Sequence, residues 1–219
     1  MHTSNVREEF AMDVKTAIRN GDADALRRLL GEDRSRANEL VSWGKDGHIL
    51  THPLHYISDM LFGRILQSGQ EPQLVDVLIQ AGADLNFQRN GQGDTPLIGA
   101  ASLGAEEVGL QFLQAGAKPE PRGFFGETAL HWASLLGEER LVEALLDGSD
   151  LELKDEKYKS PPLGWAIHGW ENPPAGNRGR QREAIALLVA AGARVEPGWL
   201  ESAKVRADPG MFAALSARR

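Results

Sequence analysis

Apolar residues recur in this chain at intervals of one, three and four rather than two. In "LVEALLDGSD", Leu141, Val142, Leu145 and Leu146 fall at i, i+1, i+4 and i+5, which places an apolar stripe along one side of a short helix. Comparable stripes run through "LVDVLIQAGADLN", "VGLQFLQAGAKPE" and "AIALLVAAGARVE". Each stripe must face a neighbour, so the pattern predicts stacked short helices. Gly82, Gly116 and Gly192 close these three segments, as residues that accept a left-handed helix end.

A second phrase precedes each of these. "THPLHYISDM", "DTPLIGAASLG", "ETALHWASLLG" and "SPPLGWAIHGW" align on Leu54, Leu97, Leu130 and Leu163. The intervals are 97 − 54 = 43, 130 − 97 = 33 and 163 − 130 = 33, so one period holds twice and is stretched once. Thr95 and Thr128 stand where a hydroxyl can cap a helix start, with Pro96 in the first turn, where a missing N–H costs least. Ala100, Ala101 and Ala133 are small enough for helices to approach closely. Two helices in fixed order therefore make one unit.

"TALHWA" at 128–133, "TPLIGA" at 95–100 and "LIQAGADLN" at 78–86 give this unit its closest likeness: it resembles the ankyrin repeat, with its period of about 33 residues and its T-P-L-H-x-A phrase. The fold this implies is all-α, a solenoid of helix-turn-helix units with projecting turns. The chain then divides into an N-terminal cap (1–45), four units (46–87, 88–121, 122–154 and 155–196) and a C-terminal cap (197–219). "VKTAIRNGDADALRRLLGED" opens the stack and "PGWLESAKVRADPGMFAALSARR" closes it, both without the full phrase, as terminal repeats often are. Extra residues interrupt the first unit at "FGRILQSGQEP" and the fourth at "GWENPPAGNRGRQ".

Composition narrows the function. Net charge is −7, which opposes nucleic acid and anionic lipid, and no basic helical face interleaved with aromatics is found. There are no cysteines, hence no disulfide, thiolate metal site or cysteine nucleophile. The start carries no basic-then-apolar signal and no stretch reaches membrane-span length, so the expectation is a cytoplasmic monomer with no membrane partner. Glycine-rich phosphate cradles, G-x-S-x-G elbows and dinucleotide fingerprints are missing, and no cofactor is expected.

His131 and His55 each follow the aligned leucine. In the family such a histidine bonds to neighbouring backbone and steadies the turns, and that is the role the resemblance implies here. His48, His52, His55 and His168 support an alternative, a histidine-based enzyme site near the inserted loops; no H-E-x-x-H spacing accompanies them, and no metal site is expected. Trp132 and Trp165 share one position in successive units. Stacked core is the simpler reading of that pair, a partner-binding ladder the sharper one.

The resemblance also implies where a partner would sit. Turns project as fingers, the first helices line a concave face, and the fifth and sixth positions beyond the aligned leucine point outward: Asp59 and Met60, Ser102 and Leu103, Leu135 and Leu136, His168 and Gly169. The expected function is non-catalytic binding of another protein. Its contact residues are Met60, Leu103, Leu135 and Leu136 on the helices, and Gln92, Asp94, Phe124, Phe125, Glu127, Lys157 and Tyr158 on the fingers. Phe124 and Phe125 stand out, because turns favour polar residues and glycine.

Overall fold

A computed structural model describes residues 12–44, 47–67, 69–174 and 180–217. The chain opens with α1 (Val14–Arg19) and α2 (Ala23–Glu32), whose starts are capped by Asp13 and Asp22 accepting from backbone N–H groups three residues on. A 3-10 turn (Arg34–Asn38) leads into a hairpin of β1 (Val41–Trp43) and β2 (Ile49–Thr51). Four helix pairs follow: α3 (Pro53–Phe62) with α4 (Glu71–Ala81), α5 (Pro96–Ser102) with α6 (Glu106–Gln114), α7 (Ala129–Leu136) with α8 (Glu139–Leu146), and α9 (Pro162–Glu171) with α10 (Gln181–Ala190). Three short helices, α11 (Pro197–Glu201), α12 (Ala203–Ala207) and α13 (Pro209–Ser216), close the stack on α10.

The pairs stack in two layers. First helices pack in the series α1, α3, α5, α7, α9, and second helices in the series α2, α4, α6, α8, α10. A short amphipathic helix has little stability alone, and here each one is held between its predecessor and successor. One apolar core consequently runs from Val14 to Leu215 without interruption. At the end of the series α7 and α9 approach so closely that a Cβ on Gly169 would collide with the carbonyl oxygen of Leu135. Glycine there sets the separation of the two helices.

The antiparallel hairpin was not expected from the sequence, and it straddles the 45/46 boundary assigned to the opening cap. Trp43 anchors it through an edge-on contact with Tyr56 of α3 at 5.6 Å, and Lys15 of α1 donates to the Ser42 hydroxyl at 3.0 Å. Its signal was present in "VSWGKDGHILT", two short β-prone runs around a glycine-containing turn. Gly82, Gly116 and Gly192 close the second helices with φ of 93°, 96° and 105°, the left-handed conformation expected of them.

Candidate interaction surface of the projecting turns

The turns before α5, α7 and α9 are built on carboxylates and histidines that point inward. Glu127 accepts from the Phe125 N–H at 2.8 Å and from the Trp132 indole at 3.3 Å. Asp155 accepts from three backbone N–H groups, of Lys157, Tyr158 and Ser160, at 2.9, 2.6 and 3.0 Å, and from the Trp165 indole at 3.1 Å. These donors hold the Asp155 carboxyl below its usual range, against the opposing effect of burial. Asp94 has less help, and burial next to Glu127 pushes its carboxyl upward.

His131 ties two turns together. Its Nδ1 accepts from the Thr128 N–H at 3.1 Å, so the proton lies on Nε2, which donates to the Leu153 carbonyl at 3.1 Å. The ring is fully buried, and desolvation lowers its pKa. His55 does the same two units earlier, with Nε2 3.0 Å from the Asp94 carbonyl. His52 caps α3, its Nδ1 accepting from Leu54 N–H at 3.2 Å and its Nε2 donating to Asn38 at 3.1 Å. Burial brings both His52 and His55 down to about 4, so each is neutral near pH 7.

Each turn is also linked to the next. Gln88 donates to the Arg122 carbonyl at 2.9 Å, and Arg122 donates to the Lys154 carbonyl at 3.1 Å. The Glu156 N–H donates to the Phe125 carbonyl at 2.6 Å. Such backbone-directed bonds fix the spacing of the fingers before any partner arrives.

Above this base the tips are open. Phe124 is 72% exposed, Tyr158 62% and Phe125 47%. Lys157 holds its ammonium 4.7 Å from the Phe125 ring centre and 5.1 Å from that of Tyr158. Tyr158 packs edge-on against Trp165 at 5.7 Å, and Trp165 meets Trp132 at 5.0 Å and His131 at 5.4 Å. Trp165 is thus buried, Trp132 half-buried against the core, and the exposed tyrosine rests on Trp165. Gln92 lies exposed on the neighbouring finger and Asp94 is half-buried at its base.

Two expected contact residues are not on the surface. Met60 is fully buried, because it lies three and four residues after Ile57 and Tyr56 on the face of α3 that enters the core; beyond it, the Ile65 and Leu66 N–H groups both donate to the Met60 carbonyl and Leu66 is buried. Glu127 is 1% exposed, its carboxylate being part of the turn. Leu103, Leu135 and Leu136 are half-buried. Those three occupy helix ends, and α7 alone sets them roughly 12 Å from the finger tips at 1.5 Å per residue. The expected surface is therefore two patches. The sequence reading missed Phe62, 68% exposed, which lines a cleft with Leu61, Leu103 and Gly104; its signal was a second apolar residue at the end of α3.

The histidines proposed for chemistry do not converge. His52 and His55 are 6.4 Å apart on α3, engaged as described, while His168 is exposed on α9, with α5 and α7 between. His48 is exposed on the hairpin side. Among the described residues no group of three or more His, Asp or Glu is placed to hold a metal ion. The part of the fourth-unit insertion from 175 to 179 lies outside the described residues. No helix among the described residues is long and apolar enough to cross a membrane.

Comparison with known proteins gives the same organisation. The family model for ankyrin repeats, in three copies, matches residues 63–155. The inactive serine/threonine-protein kinase TEX14 of Bos taurus is 39% identical over 79 residues, 36% of this chain and 5% of that protein; its counterpart from Mus musculus is 37% identical over the same length. The ANK repeat-containing protein nipk-1 of Caenorhabditis elegans is 30% identical over 109 residues, 48% of this chain and 18% of that protein. This chain thus spans less than a fifth of the length of these relatives. Taken with the two-layer helix stack and the histidine-tied turns, the matches make residues 63–155 members of the ankyrin-repeat family.

Proposed function

We propose that the chain is a non-catalytic binding module that takes another protein on its projecting turns, with the helix-end patch of Leu103, Leu135 and Leu136 as a second contact. Ankyrin repeats generally serve protein–protein interaction, and the coarse reading follows from that membership. One observation supports the finer one. Three large aromatic rings, Phe124, Phe125 and Tyr158, stand out in solvent on adjacent turns whose bases are hydrogen-bonded through Glu127 and Asp155. Exposed aromatics on a rigid support are the residues that dominate interface energies, since little freedom is lost when they are covered. The same reading keeps the chain a cytoplasmic monomer without cofactor or nucleic-acid partner.

The test is capture from native lysate on the immobilised chain, comparing wild type with Phe124→Ala/Phe125→Ala and with Leu103→Ala/Leu135→Ala. A protein held by wild type and lost on the finger variant, at unchanged melting temperature, is the expected result. Equal capture by wild type and both variants would remove the reading.

A further inference from the structure

We propose that the tips of the third and fourth fingers take an acidic peptide segment carrying a large apolar side chain. This rests on the protein-binding reading above and adds the chemistry of the partner. Among the exposed side chains, the finger tips carry a charge opposite to that of the chain. At residues 88–94, 120–126 and 154–160 the exposed cations are Arg89, Arg122, Lys154, Lys157 and Lys159, while the exposed carboxylates are Glu120 and Glu156. The remaining acids of these turns are turned inward, Glu127 and Asp155 being 1% exposed and Asp94 half-buried.

Lys154 has a carboxylate within reach, Glu196 at 3.9 Å. Among the described residues Arg89, Arg122, Lys157 and Lys159 have none within 4.0 Å. Arg122 donates to the carbonyls of Gly126 and Lys154, which orient its guanidinium, and Glu156 flanks it across Gly126 beyond ion-pair distance. Lys157 rests against Phe125 and Tyr158, so its charge is held beside an apolar platform. Lys159 is exposed and sits at φ 53°, a conformation in which glycine or asparagine would be less strained. A local excess of positive charge on a chain of net −7 acts only over about a Debye length, roughly 8 Å at physiological salt. That favours a short acidic segment laid directly on the tips over a large polyanion, which the rest of the molecule repels. Phe124, 72% exposed between these cations, supplies the contact for its apolar side chain.

Phage-displayed random peptides selected on the whole chain, followed by titration of the survivors, test this. Survivors should carry Asp or Glu around Phe, Leu or Trp, weaken with added salt, and bind roughly tenfold more weakly to Lys157→Gln/Lys159→Gln and to Phe124→Ala/Phe125→Ala. Survivors without acidic residues that still depend on Phe124 and Phe125 would overturn the acidic partner while leaving the finger reading standing. Survivors insensitive to both variants would remove both. A selection that yields nothing overturns the peptide partner, and lysate capture then decides the finger reading alone. Tighter binding of polyuridine RNA, lost with the lysine variant, would assign the cations to phosphate and overturn the proposal. Self-association in sedimentation that the same variants abolish would assign the surface to a second copy, with the same consequence.

Discussion

The base and the tip of the third and fourth fingers are a few residues apart and follow opposite rules. At the base, Glu127, His131 and Asp155 are at most 1% exposed, and their polar atoms are paired with backbone or indole N–H groups. At the tip, Phe124, Phe125, Lys157 and Tyr158 are exposed, Lys157 lying against Phe125 and Tyr158, Phe124 beside Gly93 and Tyr158 on Trp165. Polar groups are inside and aromatic ones outside, the reverse of ordinary burial. The difference teaches that these turns are held from below by buried hydrogen bonds, which leaves their tips only a small part in holding the fold.

The comparison breaks most visibly at His131. Replacement by Ala leaves the Leu153 carbonyl and the Thr128 N–H without their partner and opens space beside Trp165; chemical denaturation should find a loss of about 2 to 3 kcal/mol. An unchanged unfolding free energy would show that the base is not what steadies the turn. Asp155→Ala should cost somewhat less, about 2 kcal/mol, since the exposed amides it serves can turn to water while the Trp165 indole cannot. Tyr158 fluorescence and Trp quenching would report the loosened tip directly.

Glu138 sharpens the contrast from the other side. It is a buried carboxylate between α7 and α8 with neither oxygen partnered, and burial, then the nearby Glu106, raise its pKa well above the ordinary range. The folded state binds this proton more tightly than the unfolded chain does. Its ionisation therefore opposes folding above the unfolded value and the penalty disappears as pH falls. Glu138→Gln should stabilise by about 1 kcal/mol at pH 7.5 and by nothing near pH 4, as read from paired urea titrations. The histidines slope the other way. His52 and His55 have folded values of about 4, so the unfolded state takes up more protons between that point and about 6.5, and their contribution is complete above pH 6.5 and lost as pH falls toward 4. In the Glu138→Gln background, where the opposing term is gone, acid should destabilise more steeply than in wild type.

The smallest effect on stability belongs to the tips. Phe124→Ala/Phe125→Ala should move the unfolding free energy by less than about 0.5 kcal/mol, apart from the contact of Phe124 with Gly93, while abolishing partner capture. A drop as large as that of His131→Ala would erase the distinction between base and tip.

Periodicity alone made the helix pairs legible. The aligned leucines Leu54, Leu97, Leu130 and Leu163 are all buried, and Thr95 caps α5 by accepting from the Ile98 N–H at 3.3 Å, as its place before a proline predicts. His131 was legible too, through the resemblance its phrase carries. These features rest on contacts within a turn or two of the chain, which the order of residues specifies directly.

What lies at the ends of the helices was decided elsewhere. The resemblance places Met60 outward, yet it falls three and four residues after Ile57 and Tyr56, on the face of α3 that enters the core. In the same way, Glu127 reads as a charged finger residue until the Trp132 indole and the Phe125 N–H are brought to it. The sequence by itself determined the repeat, the caps and the apolar stripes, because helix formation and local hydrogen bonding are short-range. Only the tertiary structure decided which polar side chains of each turn go inward and which aromatic ones remain outside, because that depends on how each turn folds back on the start of its own helix and docks on the turn beside it.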